Sequence, residues 1–271
     1  MATRRVVTAA GEIAFDHGAQ YFTACAPALI ATVKSWEAAG VVAPWPRAGA
    51  DAWVGTPGMN SVVKVLAAPL DVHWNCQVKT IRRADGSWFL EPISQNPFSA
   101  IIVATPAEQA APLLVAHDPA MAAMAKACPS APCCTAMFAF DARLTIADDV
   151  VRNAGIIGWA ARNNAKPGRS ATEAWVVQAD SNWSRKHLED SQEAVVDTLL
   201  AALASQATRP LPDPIVRIGH RWRYAHVQAN THGSLWNEEA QIGAVGDWLL
   251  APRIESAWLS GQILADRILE R

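Results

Sequence analysis

The feature that most constrains the fold of this 271-residue chain lies near its C-terminus. An apolar stretch at residues 241–245 runs into Gly246-Asp247, and a helical pattern follows from about residue 254 to residue 269. A buried strand, a tight turn and a helix in this order place a carboxylate beside unpaired backbone amides. We expect a polar cofactor there, with Asp247 accepting hydrogen bonds from sugar-alcohol hydroxyls and the helix amides facing an oxygen that becomes anionic on reduction. Spacing alone leaves open that Asp247 merely caps a turn.

The composition excludes several classes of protein. With 51% hydrophobic and 18% charged residues, the chain can fill a core, so we expect a globular protein. Its 23 Lys and Arg against 25 Asp and Glu form no concentrated basic face, which argues against nucleic-acid binding. Apolar stretches end well before the ~20 residues that a membrane span needs, and the first residues lack the apolar core of a signal peptide. We expect a cytoplasmic protein with a small-molecule substrate and no membrane partner, and the oligomeric state stays open.

The hydrophobic pattern predicts an α/β protein with two lobes. The first has a short helix at 61–67, a strand at 71–74 and a hairpin of strands 77–82 and 88–91 across Asp85-Gly86. A strand at 100–104 reads as buried on both faces, and Thr105 is predicted to cap a helix whose first residue is Pro106. From about residue 129 to 228, longer strands and a helix at 191–204 indicate a second, sheet-based lobe with α+β character. The chain then returns to the first lobe, which is therefore discontinuous.

The usual catalytic motifs are absent. The sequence contains no H-E-x-x-H, no Walker A motif, no G-x-S-x-G and no G-x-G pair, which removes the common handles for a hydrolase, an NTPase or a simple NAD dehydrogenase. The five cysteines form no C-x-x-C spacing, so we predict neither a metal site nor a disulfide framework.

Six segments in register carry a family resemblance. They are Met1-Ala-Thr-Arg-Arg5, Phe15-Asp-His-Gly-Ala-Gln-Tyr-Phe22, Trp53-Val-Gly-Thr-Pro-Gly-Met-Asn60, Val103-Ala-Thr-Pro106, His220-Arg-Trp-Arg-Tyr-Ala225 and the segment around Gly246-Asp247. In order and spacing, along essentially the whole chain, they resemble the renalase-like branch of the flavin amine-oxidase superfamily.

The resemblance implies an incomplete FAD-binding dinucleotide fold, Rossmann-like, joined to a mixed-sheet substrate domain in a hydroxybenzoate-hydroxylase-like architecture. The FAD domain is expected at 1–25, 51–128 and 238–271, and the substrate domain at 26–50 and 129–237. The implied activity is hydride transfer from a dihydronicotinamide compound or an amine to FAD, with reoxidation by oxygen. We favour the dihydronicotinamide because no Lys or carboxylate stands out as an amine-activating group.

The resemblance also implies where the cofactor lies. Gln20 and Tyr21 are expected near the flavin, and Val78 is expected to offer backbone contacts on the adenine side. The ribityl chain and ring are expected to be held by the C-terminal turn and helix start: Gly246, Asp247, Arg253, Ile254, Glu255, Ser256 and Ala257.

Other candidate site residues also have a purely structural interpretation. Arg4 and Arg5 could meet a phosphate or form a solvated surface pair, and His17 could serve the site or only bond locally. As catalytic candidates we name Trp222 and Tyr224, as walls of a dry cleft over the flavin, and His232 as a substrate-side group in a returning loop.

The chain departs from the family pattern at its start. Members carry a βαβ unit with a G-x-G-x-x-G turn just before the Met-Ala-Thr-Arg segment, and this sequence begins at that Met. The predicted consequences are an exposed sheet edge, weak stability and weak FAD binding. A misassigned start and a non-catalytic remnant or binding module unable to hold FAD both stay open, and in-frame sequence upstream of Met1 separates them.

Overall fold

The computed structural model describes residues 1–9 and 11–269. Three residues of the predicted FAD domain, Ala10, Glu270 and Arg271, lie outside them. The strands are β1 (Thr3–Thr8), β2 (Gly11–Asp16), β3 (Val42–Pro44), β4 (Trp53–Gly55), β5 (Thr80–Ala84), β6 (Ser87–Glu91), β7 (Ser94–Phe98), β8 (Ile101–Val103), β9 (Ala131–Phe140), β10 (Val150–Ala154), β11 (Ile157–Arg162), β12 (Glu173–Ala179), β13 (Val216–His226), β14 (Leu235–Asn237) and β15 (Ile242–Ala244). The helices are α1 (Pro27–Ala38), α2 (Ser61–Ala67), α3 (Ala107–Leu114), α4 (Pro119–Lys126), α5 (Ser181–Lys186), α6 (Gln192–Ala204) and α7 (Ile254–Leu269). None of the described helices is long and apolar enough to cross a bilayer.

The chain divides into two compact units, each made of two segments. The first unit is Met1–Leu70 with Ala131–Ala225, and the second is Asp71–Ser130 with His226–Arg271. Each unit is therefore discontinuous in sequence. Residues 1–25 and 51–70, predicted to lie in the FAD domain, belong to the unit that contains the five-stranded sheet. The boundaries of the FAD and substrate domains stay a prediction.

The first unit is built on a five-stranded sheet with the order β10-β11-β12-β9-β13. Its strand β9 is buried along almost its whole length, and successive side chains of a strand point to opposite faces. Phe138 packs into a core with Leu199 of α6, whereas Met137 packs with Phe15 of the hairpin β1–β2. The sheet is thus covered by a helix on one face and by the N-terminal hairpin on the other.

The second unit contains a small sheet with the order β14-β15-β8. Strands β15 and β8 run parallel, with Ile242 opposite Ile101 and Ala244 opposite Val103. The antiparallel strands β5, β6 and β7 form a separate sheet, and the core of the unit includes Trp88, Leu114 and Trp248. This unit holds the C-terminal strand, turn and helix on which the sequence analysis depends.

Several local predictions are confirmed. Helix α2 spans the predicted residues, and the hairpin β5–β6 turns at Asp85-Gly86, where both residues have a positive φ. Helix α6 begins after Ser191, whose hydroxyl accepts a hydrogen bond from the backbone N–H of Ala194.

Three predictions for the first lobe are wrong. No strand forms at residues 71–74, because this segment lies exposed on the surface, with Trp74 69% accessible, and pairs with no strand among the described residues. Strand β8 is not buried on both faces, because Ile101 and Val103 are buried on one face whereas Ile102, on the opposite face, is 48% exposed. Helix α3 begins at Ala107 with Pro106 as its N-cap, and no side chain caps it, so Thr105 has neither the predicted position nor the predicted bond.

Candidate functional site

The turn after β15 lies where two parallel strands end side by side. The backbone N–H of Val245 donates to the carbonyl of Val103 at 3.1 Å, so β8 and β15 stay paired up to their carboxyl ends. In open α/β sheets, ligands bind in the crevice outside the carboxyl ends of parallel strands. Thr105 follows one of these ends and Gly246-Asp247 follows the other, which makes this edge the candidate cofactor site of the second unit.

Thr105 presents a buried polar atom that the protein does not satisfy. Its Oγ1 atom is buried and has no hydrogen-bond partner among the described residues, while its carbonyl accepts the indole N–H of Trp248 at 3.1 Å. Leaving a buried hydroxyl unpaired costs free energy, and ligand sites are places where such groups are found. A polar ligand group at this edge would satisfy the hydroxyl. The sequence predicts Thr105 only as a helix cap, and its residue type gives no signal of a ligand contact.

Asp247 lies half-buried at the start of a short 3-10 turn, Asp247–Leu249. Burial raises the pKa of its carboxyl group, and the backbone N–H of Trp248 partly opposes this shift. The turn is held from behind, because the Ser260 hydroxyl of α7 accepts the backbone N–H of Gly246 at 3.0 Å. Asp247 therefore lies on a braced turn and accepts a backbone N–H of that turn, and its predicted role toward the sugar-alcohol hydroxyls stays a prediction.

The start of α7 offers fewer free donors than predicted. The backbone N–H groups of Ser256 and Ala257 both donate to the carbonyl of Arg253, at 3.1 and 3.3 Å. Arg253 also forms an ion pair with the buried Glu255, with 2.7 Å between Nη2 and Oε2. These side chains and amides brace the first turn of the helix. The positive end of the helix dipole remains, and any role for Ile254, Glu255, Ser256 and Ala257 in cofactor binding stays a prediction.

In the first unit, the segment after β2 surrounds a buried carboxylate. Asp16 is fully buried, and its Oδ2 atom contacts Arg169 Nη2 at 2.5 Å and Lys166 Nζ at 3.4 Å. Its Oδ1 atom accepts the Met59 backbone N–H at 2.9 Å and the Thr3 hydroxyl at 2.8 Å. Burial alone would raise the pKa of Asp16, but the two cations and these hydrogen bonds hold it below its ordinary value.

Gln20 is part of the same network. Its Nε2 atom donates to the carbonyls of Asp16 and Gly18, and its Oε1 atom accepts Lys166 Nζ at 3.0 Å. Burial lowers the pKa of Lys166 to about 8, and Asp16 opposes the shift. Both polar atoms of the Gln20 side chain are therefore bonded within the protein. Its predicted position near the flavin stays a prediction. Sequence reasoning missed Lys166 and Arg169, since a Lys-Pro-Gly-Arg turn usually lies in solvent.

His17 packs in an aromatic cluster beside this network. Its ring stacks on Trp222 with 5.3 Å between centroids and meets His220 edge-on at 4.9 Å. The Trp222 indole N–H donates to the His17 carbonyl at 2.9 Å, while His17 Nδ1 is buried with no hydrogen-bond partner among the described residues. Burial, with the nearby charges of His220 and Arg4, lowers the pKa of His17 to about 4. Trp222, a predicted catalytic wall, is here a support for His17.

The remaining predicted residues are dispersed. Arg5 forms an exposed ion pair with Glu12 at 3.2 Å. Tyr21 packs against Trp159 with 5.2 Å between ring centroids. The other two catalytic candidates, Tyr224 and His232, lie exposed on β13 and on a loop. Val78 packs against the core of the second unit. The roles predicted for these residues stay predictions, and among the described residues no group of three or more His, Cys, Asp or Glu could hold a metal ion.

The comparisons with known proteins fit this arrangement. Residues 46–269 match the model of the flavin containing amine oxidoreductase family. The chain belongs to this family. FAD, the cofactor predicted from the sequence, is the cofactor that this family carries.

Solved structures show the same fold at low sequence identity. A putative protoporphyrinogen oxidase from Exiguobacterium sp. 255-15 matches with a TM-score of 0.62 and 16% identity, over 82% of this chain and 53% of that one. Putrescine oxidase bound to putrescine matches with a TM-score of 0.63 and 16% identity, over 82% of this chain and 55% of that one. Cyclohexylamine oxidase from Brevibacterium oxydans IH-35A matches with a TM-score of 0.62 and 13% identity, over 82% of this chain and 55% of that one. The chain therefore spans about half the length of these solved proteins.

Proposed function

We propose that this protein is a renalase-like, FAD-dependent oxidoreductase that oxidises a dihydronicotinamide compound or an amine. The observation that carries the proposal is the parallel pair β8–β15, whose carboxyl ends are followed by Thr105, with its buried and unpaired hydroxyl, and by the half-buried Asp247. A hydroxyl and a carboxylate at such an edge suit a ligand with a polar chain, so the residues present fit the ribityl end of a flavin.

Each group of the chain has a proposed task. Asp247 accepts hydrogen bonds from ribityl hydroxyls, Thr105 completes the polar edge, and the dipole of α7 stabilises negative charge on the reduced ring. When bound, FAD would supply the redox chemistry, as acceptor of a hydride from the substrate and donor of two electrons to oxygen, which with two protons would give hydrogen peroxide. The protein contributes orientation and exclusion of water.

The choice of substrate rests on Lys166. No Lys or carboxylate stands out in the sequence as an amine-activating group, and in the structure burial lowers the pKa of Lys166 to about 8. Its ammonium group is bonded to Asp16 and Gln20, so it is not free to act as a base. This supports the dihydronicotinamide, whereas the putrescine and cyclohexylamine oxidases among the similar folds support an amine. NADH, NADPH, putrescine and cyclohexylamine should therefore be compared, with hydrogen peroxide as the readout.

A second candidate function is a non-catalytic remnant or binding module that does not hold FAD. The observation that favours it is the open edge of β8, beside which no further strand lies among the described residues. In this case the chain, incubated with FAD and then separated from the unbound cofactor by gel filtration, carries no flavin absorption.

The test is a titration of FAD into the purified chain, followed by the quenching of flavin fluorescence. Loss of a charged hydrogen bond costs about 1.5–3 kcal/mol, so Asp247→Ala should weaken binding about tenfold or more. Asp266→Ala is the control, because Asp266 is an exposed acid further along, on helix α7, and Gln262 is its only partner among its described side-chain contacts. Equal affinity in both variants, or no binding by the parent chain, rejects the proposed site.

A further inference from the structure

A polar cavity of about 410 Å³ opens in the first unit, between the loop after β3 and the segment that leads into β10. Its charged lining consists of three arginines and two aspartates: Arg47, Arg143, Arg152, Asp148 and Asp149. Small-molecule sites commonly enclose about 300–1,000 Å³, so the cavity is large enough for a metabolite. The proposed flavin site, at Thr105 and Asp247, uses none of these residues.

Asp149 forms ion pairs with three arginines. It pairs with Arg162, a buried arginine that also bonds Glu173 at 3.1 Å. On its open side, Asp149 contacts Arg47 Nε at 3.4 Å and Arg143 Nη2 at 3.9 Å. The Arg143 contact is near the limit of an ion pair, so most donors of its guanidinium are not engaged by Asp149.

Arg152 is positioned from the other side. Its Nη2 atom donates to the Ala48 carbonyl, and its guanidinium lies 4.6 Å over the ring of Trp159. Stacking and one hydrogen bond hold the guanidinium plane while its remaining N–H donors stay available. All three arginines of the lining are exposed, and Arg152 is held by the Ala48 carbonyl and the Trp159 ring.

The charges of the lining leave an excess of one positive charge. Arg162 and Glu173 compensate each other behind the wall, and Asp149 is shared by the arginines it anchors. Asp148 is exposed and forms no ion pair with any described residue. The cavity thus offers several guanidinium donors together with one carboxylate that can accept hydrogen bonds.

We propose that this cavity binds a small phosphate monoester that carries hydroxyl groups. Guanidinium forks match the oxygens of a phosphate, and a dianion fits the positive excess. Asp148 would repel a bare phosphate but would accept a hydrogen bond from a hydroxyl of the ester. The aspartate therefore selects the ester over the inorganic ion.

The test is isothermal titration calorimetry on the 271-residue chain with glycerol 3-phosphate, inorganic phosphate and succinate at constant ionic strength. We expect saturable binding of one glycerol 3-phosphate. Removal of a charged hydrogen-bond donor by Arg143→Gln should weaken this binding about tenfold. Asp148→Asn should strengthen the binding of inorganic phosphate about twofold to fivefold, because it removes a negative charge that repels the phosphate. It should strengthen the binding of the ester less.

Arg217→Gln is the matched control. Arg217 is an exposed arginine on β13 that pairs with Asp197, and it does not line the cavity. The control should leave the affinity unchanged within about twofold, because screened surface charges contribute little. The proposal is overturned if Arg217→Gln weakens the ester as much as Arg143→Gln does, or if succinate binds as tightly as the ester. Absence of saturable binding up to about 10 mM overturns it as well.

Discussion

Asp16 is the residue on which the polar network of the first unit depends. Its carboxylate faces Lys166 and Arg169 in a site from which water is excluded. Removing one partner of a buried ion pair leaves uncompensated charge, at a cost of about 3–5 kcal/mol. Asp16→Asn should therefore lower the free energy of unfolding by about this amount, measured by urea denaturation at pH 7.

Glu12→Gln provides the control at the other end of the same strand, β2. The Arg5–Glu12 pair is exposed, so its loss should change the free energy of unfolding by no more than about 0.5 kcal/mol. If the two variants lose similar stability, the Asp16 network is not the support described above. Asp16 also makes the fold sensitive to strong acid: with its folded pKa below the ordinary value, its contribution is present above about pH 4 and is lost as the pH falls further.

His17 makes stability depend on pH in a milder range. Its pKa is lowered from 6.5 to about 4, so the folded protein disfavours the charged ring. The unfolded chain takes up the proton as the pH falls through about 6.5, and stability is lost between there and about pH 4, by about 3 kcal/mol. His17→Gln should flatten the fall in unfolding free energy between pH 7.5 and 4.5. His73→Gln, at an exposed histidine, should keep the slope of the parent chain.

The sequence could predict some of these residues and not others. The place of Asp247 between a strand and a helix could be predicted, because its neighbours in sequence also position it in space, while its role stays a prediction. The partners of Asp16 could not be found this way, since Lys166 lies 150 positions from it along the chain. A pattern of local spacing does not report which distant loop packs against a strand.

At the scale of elements, prediction succeeded where local chemistry decides the structure. The Asp85-Gly86 pair suits a tight turn whatever surrounds it, and Ser191 caps α6 through its own backbone neighbours. The sequence predicts the position of strand β8 correctly but not its burial. The apolar run at residues 101–103 indicates a strand, but it does not show whether another element covers the second face of that strand. Burial on the second face depends on the rest of the sheet.

The open edge of β8 should govern the solubility of this chain. In a parallel ladder, alternate residues bond to the same neighbour, so the Ile102 backbone groups point away from β15 while its side chain is 48% exposed. An exposed apolar edge strand is a template for intermolecular pairing. Ile102→Lys should therefore reduce self-association, measured by light scattering, and should change the free energy of unfolding by no more than about 0.5 kcal/mol.

Val63→Lys separates edge pairing from general surface hydrophobicity. Val63 is 42% exposed but lies on helix α2, which has no strand edge. We expect it to reduce scattering much less than Ile102→Lys does. Equal effects would mean that apolar exposure alone, and not the open strand, drives association.

In the molecule as a whole, the flavin contacts proposed for the C-terminal turn and helix all lie in the second unit. Thr105, Val78 and Asp247 belong to segments of that unit that are distant in sequence, and a ligand that binds them should order them together. Backbone amides that a bound ligand orders exchange their hydrogens more slowly. Hydrogen exchange with excess FAD should therefore show protection at residues 101–106 and 243–257.

FMN, which lacks the adenine nucleotide, tests the orientation of the cofactor in the same experiment. If the ribityl chain and ring lie at Asp247 and the adenine side lies near Val78, FMN should protect residues 243–257 as FAD does. Only FAD should then protect residues 77–80. Equal protection of 77–80 by both flavins would place the adenine elsewhere, and protection confined to the first unit would contradict the site at Asp247. Because the two flavins differ only beyond the first phosphate, the comparison separates a misplaced adenine from a misplaced ring.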